Sequence, residues 1–148
     1  MIQAAQRCLT VVSFVYQVPA VVSALRAPTG SGVRVRLVLD GGAAAELPFR
    51  ELADEVEIYT WPASQAAESH PAHASLPAKL ALADDSPVFV TSDNLTEAAL
   101  DRYGELGLLV RGCDVPRVLA AHFEEMIRAG TVVEVEASRR ATPSHTLR

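Results

Sequence analysis

Cysteine, aromatic residues and positive charge are all scarce in this chain. Its 148 residues contain two cysteines, Cys8 and Cys113. Two thiols cannot build a disulfide framework or an all-cysteine zinc cluster, and such sparing use fits a reducing cytoplasm. Aromatic residues make up 5% of the chain and include one tryptophan. Trp61-Pro62 therefore offers a base-stacking platform, beside the plainer reading of a packing residue at a rim. Acidic residues outnumber basic ones, 18 to 13, for a formal net charge of −5. A freestanding nucleic-acid binder ordinarily has a basic balance, so any such role needs a local basic site within an acidic protein. Long apolar runs are also missing. Cys8 to Leu25 is uncharged between Arg7 and Arg26, as a signal peptide or membrane span would be, but Ser13, Gln17, Pro19 and Ser23 interrupt it. It divides at Val18-Pro19 into a strand and a helix, so no stable membrane span is expected.

Apolar residues form 49% of the chain, which argues against disorder. One domain of this length can bury roughly two-thirds of its unfolded surface. The pattern predicts a strand over Cys8 to Tyr16, rich in Val, Phe and Thr. A helix follows over Pro19 to Ala27, ended by Pro28-Thr29-Gly30-Ser31-Gly32. Val33 to Leu39 reads as a strand entering the core, with Arg34 and Arg36 on one face, either solvated or touching nucleic acid. After the Asp40-Gly41-Gly42 turn come a short helix over Leu47 to Ala53 and a strand over Val56 to Trp61. Pro62 to Ser75 reads as a loop.

Lys79 to Ala83 and Val88 to Ser92 then read as two strands joined at Asp84-Asp85-Ser86-Pro87, a hairpin. Leu95 to Arg102 suits a short helix capped by Asn94 or Thr96, and Leu106 to Arg111 another strand. Val115 to Ala129 is the clearest helix: Val118, Leu119, Phe123 and Ile127 recur at helical spacing, Glu124 and Glu125 face solvent, and Gly130 stops it. Val132 to Val135 precedes a polar tail at 136–148, giving a single domain over 1–135. Strands alternating with helices, one pair forming a hairpin, predict an α/β sandwich whose mixed sheet is flanked by helices.

Chemistry concentrates between Pro77 and Asn94. Lys79 sits in the apolar strand L-P-A-K-L-A-L-A and shares a face with Pro77, Ala81 and Ala83 on the period-two rule. Beside Ser92 and Asn94 on a neighbouring strand, it would present an ammonium, a hydroxyl and an amide to an anion with several acceptor oxygens. The plainer alternative is an edge-strand lysine with its head in water.

The spacing of Lys79, Asp84, Ser92 and Asn94 resembles the phospholipase D superfamily signature His-x-Lys-x4-Asp-x6-Gly-Ser-x-Asn. The run T-S-D-N-L-T-E-A-A-L-D-R-Y-G-E-L-G-L-L-V-R-G is similar to that family's Gly-Ser-x-Asn-Leu-Thr segment and its following Glu-x-Gly strand, with Glu105 at the glutamate. V-V-S-F-V-Y, G-V-R-V-R-L-V-L-D and the strand ending in Trp61-Pro62 fit upstream, so the likeness covers Ala5 to Gly130. Within the superfamily the chain most resembles the single-motif phospholipase-D-like protein of bacterial DISARM anti-phage systems.

The resemblance implies a phosphodiesterase fold in which two motif copies meet at one site, within a chain or across a homodimer. One histidine attacks phosphorus, the other protonates the leaving oxygen, and neither metal nor other cofactor takes part. Lys79, Ser92 and Asn94 would bind phosphate oxygens, while Asp84 and Glu105 would support local order or orient histidines. Pro77 stands where the family has its histidine, and Thr91 where it has glycine. Proline offers no nucleophile, no proton and no backbone N–H. Asp93 adds negative charge beside the phosphate site.

Three functions follow as expectations. The first is a degenerate phosphate- or nucleic-acid-binding or assembly component of anti-phage defence, cytoplasmic and homodimeric, alongside other defence proteins. The second is an active phosphodiesterase using His73, His70 or a partner's histidine. The third is a purely structural interaction module. His122 in the last helix and His145 in the tail read as packing or surface residues.

Overall fold

Runs without polar alternation become the centre of the sheet. L-T-V-V-S in β1 (Cys8–Ser13) and V-R-L-V-L in β2 (Arg34–Asp40) are buried on both faces. Strands covered on both sides need apolar residues at consecutive positions. The structure, a computed structural model, describes residues 2, 5–13, 19–40, 55–61, 78–92 and 106–135. The expected helices over Leu47 to Ala53 and Leu95 to Arg102, the loop from Pro62 to Ser75 and the tail 136–148 lie outside the described residues.

Helix α1 (Pro19–Gly30) connects β1 to β2, which lie parallel. The remaining strands are β3 (Glu57–Trp61), β4 (Leu80–Ala83), β5 (Val88–Thr91), β6 (Gly107–Val110) and β7 (Val133–Glu134). Helix α2 (Val115–Arg128) precedes β7. The strands form one seven-stranded sheet in the order β6-β5-β4-β1-β2-β3-β7. β1, β2 and β3 run parallel, whereas β4, β5, β6 and β7 join antiparallel to their neighbours, so the sheet is mixed as the hairpin implied.

Each face of the sheet carries its own core. On one, Leu9 and Val11 of β1, Val35, Leu37 and Leu39 of β2 and Ile58 of β3 close against Leu25 of α1. On the other, Val12, Val38, Tyr59, Leu80, Leu82 and Val88 lie beneath Phe123 and Met126 of α2. Among the described residues the sheet is thus the middle layer between two helices.

The helix ends refine the expectations. α1 continues through Pro28 to Gly30 rather than stopping at Ala27. The last carbonyls there are met locally: the Thr29 hydroxyl donates to Arg26 O at 2.7 Å, and Ser31 and Val33 N–H donate to Pro28 O. α2 ends as expected at Gly130, whose φ is +70°. Thr131 N–H donates to Met126 O and Gly130 N–H to Ile127 O, a paired closure that requires a left-handed residue at Gly130. The inward stripe of α2 is Leu119, Phe123 and Met126, with Ile127 at its margin. Val118, expected on that stripe, is 58% exposed because the core contacts fall one position round the helix.

Candidate functional site

The register brings Lys79 into a polar row at one end of the sheet. Val12 pairs with Leu80, so the next residues, Ser13 and Lys79, stand opposite each other as the chain enters β4. Leu80 pairs with Val90, so Lys79 faces Thr91 on its other side, and Thr91 N–H donates to Lys79 O at 3.0 Å. Thr91 in turn pairs with Gly107, and Ser13 with Leu39. Residues Leu39, Ser13, Lys79, Thr91 and Gly107 therefore run across five neighbouring strands on the face that also holds Val11 and Ala81. Accessibility rises along this row. Leu39 and Ser13 are fully buried, Lys79 and Thr91 are half-buried, and Gly107 is exposed. Cβ atoms directly opposite in such ladders lie about 5 Å apart, within reach of one small anion.

Ser92 comes one step beyond Thr91 and is exposed. Its N–H donates to Leu106 O at 3.1 Å, and its hydroxyl accepts from Leu106 N–H at 3.3 Å. That exchange extends the β5–β6 ladder and holds Ser92 at the rim. The residue directly opposite Lys79 is thus Thr91, with Ser92 next to it. Gly107 has its own reason in this corner. A Cβ there would overlap the ring of Phe89, so only glycine lets the ring lie across β6.

Asp84 takes a different position. It opens the hairpin at the opposite end of β4, about 16 Å along the strand from Lys79 at ~3.3 Å per residue. Its Oδ1 accepts from Arg7 N–H at 2.8 Å and Cys8 N–H at 2.9 Å, and its Oδ2 from Gln6 N–H at 3.1 Å. Its own N–H donates to Cys8 O at 2.7 Å, and its φ of +56° is one that aspartate tolerates better than most residues. Burial works against its ionisation, but the three amides and the nearby Arg7 outweigh it and hold the carboxyl below the ordinary range. Asp84 thus orders the start of β1, and its carboxylate faces away from the row at Lys79.

Pro77, Asn94, Glu105, Asp93, His70, His73 and His145 lie outside the described residues.

Comparison with known proteins places this architecture. The family described as "Cardiolipin synthase, PLD-like domain" matches residues 1–127. The chain belongs to this PLD-like family. No curated protein matches the sequence. Among solved structures, the chain is similar to NucT from Helicobacter pylori, with a TM-score of 0.77 at 15% identity over 90% of this chain and 86% of that one. It is also similar to Nuc, a phospholipase D family member from Salmonella typhimurium, with a TM-score of 0.73 at 18% identity over 90% and 85%. TrmBL2, an archaeal chromatin protein described for a novel mode of DNA binding, matches with a TM-score of 0.58 at 12% identity, over 90% of this chain and 46% of that one. Likeness at such identities establishes a shared PLD-like fold.

Arg36 and its neighbours serve the fold of this PLD-like chain. Arg36, expected on a solvated or nucleic-acid-facing surface, is 6% exposed. Its Nε donates to Glu57 Oε2 at 3.0 Å and its Nη1 to Glu124 of α2, so both partners are carboxylates of this chain. Burial alone would lower its pKa, but the hydrogen bonds to Glu124 and Glu57 outweigh burial and push it up. Glu124, expected to face solvent only, ties α2 to the sheet, whereas Glu125 pairs along the helix with Arg128. Arg34 lies 3.5 Å from Glu57. Burial, then the neighbouring Glu57 charge, pushes Tyr59 up to about 12.

Burial also raises the Cys8 thiol, which makes it a poor nucleophile, and it sits at the Asp84 end of the sheet. Trp61 is half-buried against the second core, a packing position at the rim. His122 is exposed, with its ring edge-on to Phe123 at 5.6 Å. The sequence did not single out Ser13. Its one signal is a hydroxyl inside V-V-S-F-V-Y, which becomes meaningful only when the β1–β4 register sets it beside Lys79. Among the described residues no helix is long and apolar enough to cross a membrane.

Proposed function

We propose that this PLD-like protein keeps a phosphodiester-binding site and has lost the nucleophile that would cleave its ligand. The observation carrying this reading is the assembly of Lys79 with Thr91 and Ser92 at one end of the sheet, in a chain with Pro77 at the histidine position. In this reading Lys79, Ser92 and Asn94 hold the phosphate oxygens, Asp84 secures the start of β1, and Glu105 supports local order or orients histidine side chains. No metal or other cofactor is required. The ligand is a nucleic acid or another phosphodiester; TrmBL2, an archaeal chromatin protein described for a novel mode of DNA binding, shares this fold over 46% of its length. The domain spans 1–135, acts in the cytoplasm as a homodimer, and serves bacterial anti-phage defence with other defence proteins, as its resemblance to DISARM proteins suggests.

The test is phosphodiesterase activity on a chromogenic diester and on single-stranded DNA, for the unaltered chain beside Pro77→His. The unaltered chain is expected to show no turnover and Pro77→His to gain it, because imidazole supplies both nucleophile and acid across a dimer. Turnover by the unaltered chain would overturn this reading and send the search for a nucleophile to His73 and His70.

A further inference from the structure

The geometry points to Thr91 as a phosphate ligand in its own right, its hydroxyl donating beside the Lys79 ammonium; the inference rests on the phosphate-binding reading above. Three observations converge on it. Thr91 is the residue opposite Lys79, fixed there by its N–H to Lys79 O at 3.0 Å. Strand alternation puts both side chains on one face, since the preceding pair, Ala81 and Phe89, is in register and the strands stay paired. The row is sealed on the other side of Lys79, where Ser13 and Leu39 are fully buried.

An anion reaching Lys79 along the row therefore arrives from the Thr91 side. There it meets the hydroxyl of Thr91. A threonine hydroxyl carries one donor and two acceptor sites, and it can rotate to turn its donor toward an anionic oxygen that arrives, exchanging an internal partner for it. Phe89, lying across Gly107, walls the open edge beside Thr91 and lowers the local dielectric. The ligand this suits is a tetrahedral anion with at least two unesterified oxygens turned to the sheet, one for the ammonium and one for the Thr91 hydroxyl. A phosphodiester has two.

Lys79 is the only lysine in the chain, so its removal deletes the sole ammonium side chain. Inorganic phosphate is titrated into the isotope-labelled full chain, following the Lys79 and Thr91 amide signals by NMR. The unaltered protein, Thr91→Val, Thr91→Ser and Lys79→Ala are compared. Thr91→Val keeps the branched shape and loses the hydroxyl, and is expected to weaken phosphate binding about tenfold, the effect of one hydrogen bond to a charged group. Thr91→Ser is expected to bind within about twofold of the unaltered chain, and Lys79→Ala to lose binding. If Thr91→Val does not fold, Thr91→Ala is compared with Thr91→Ser, from which it differs only by the hydroxyl.

Native affinity in the variant lacking the hydroxyl, with binding lost in Lys79→Ala, overturns the role of Thr91 and leaves the phosphate site standing. Thr91→Ser as weak as Thr91→Val shows that any change of side chain here disturbs the site, so the loss does not belong to the hydroxyl, and this also overturns the role of Thr91. Phosphate that leaves the Lys79 and Thr91 signals of the unaltered chain unmoved, or Lys79→Ala that binds as well as the unaltered chain, overturns both readings.

Discussion

Asp84 carries its charge where three backbone amides converge. The motif spacing marked this residue, but its work there is legible only in space: Gln6, Arg7 and Cys8, 76 to 78 positions away in sequence, donate to it. Because the carboxyl is held below its unfolded value, the stability it contributes is present above about pH 4 and is lost as pH falls through the folded value. Asp84→Asn keeps a residue suited to the left-handed backbone and removes the charge. It is expected to lower stability at pH 7 by about 2 kcal/mol, with the gap closing in acid. Urea unfolding of both proteins at pH 7 and pH 3 checks this; an equal gap at both values would show that charge is not the stabilising feature.

At the scale of elements, the informative contact is Arg36 reaching from β2 to both Glu57 and Glu124. Sequence pattern placed Arg34 and Arg36 together on one face, and the register confirms that they share it. Alternation cannot say what covers a face. Here α2 lies over it, so Arg36 becomes a buried link between helix and sheet while Arg34, nearer the strand end, stays largely exposed. Removing one partner of a buried ion pair leaves charge without compensation. Arg36→Met is expected to destabilise the fold by about 3 kcal/mol. Arg36→Lys should recover only part of this, because an ammonium lacks the fork that serves two carboxylates. Thermal and denaturant unfolding check both; a native stability for Arg36→Met would mean that apolar packing holds α2 without the link.

At the scale of the whole molecule, β6 is the last strand at one edge of the sheet among the described residues. Leu106, Leu108 and Leu109 along β6 are 79%, 64% and 44% exposed, and Val90 beside them is 39% exposed. Apolar edge strands commonly pair with another chain, and this edge adjoins Ser92 at the proposed phosphate site. The homodimer proposed above would use this edge, since one chain carries one motif and a two-motif site needs a second copy. Light scattering at micromolar concentration is expected to give a dimer mass for the unaltered chain and a monomer mass for Leu108→Glu. A monomer mass for the unaltered chain would remove the dimer.

The sequence by itself determined the mixed α/β layering, the strand and helix types among the described residues, the hairpin and the Gly130 stop. These follow from local periodicity, turn chemistry and glycine's freedom at positive φ, all properties of neighbouring residues. It also supplied the spacing that resembles the phospholipase D motif. Only the tertiary structure decided that Thr91 faces Lys79, that Ser13 lies buried on its other side, that Asp84 works at the far end of the sheet, and that Arg36 is enclosed. Each depends on which strands become neighbours and in what register, and that is fixed by two buried cores closing on opposite faces of one sheet, an outcome that no local stretch of sequence contains.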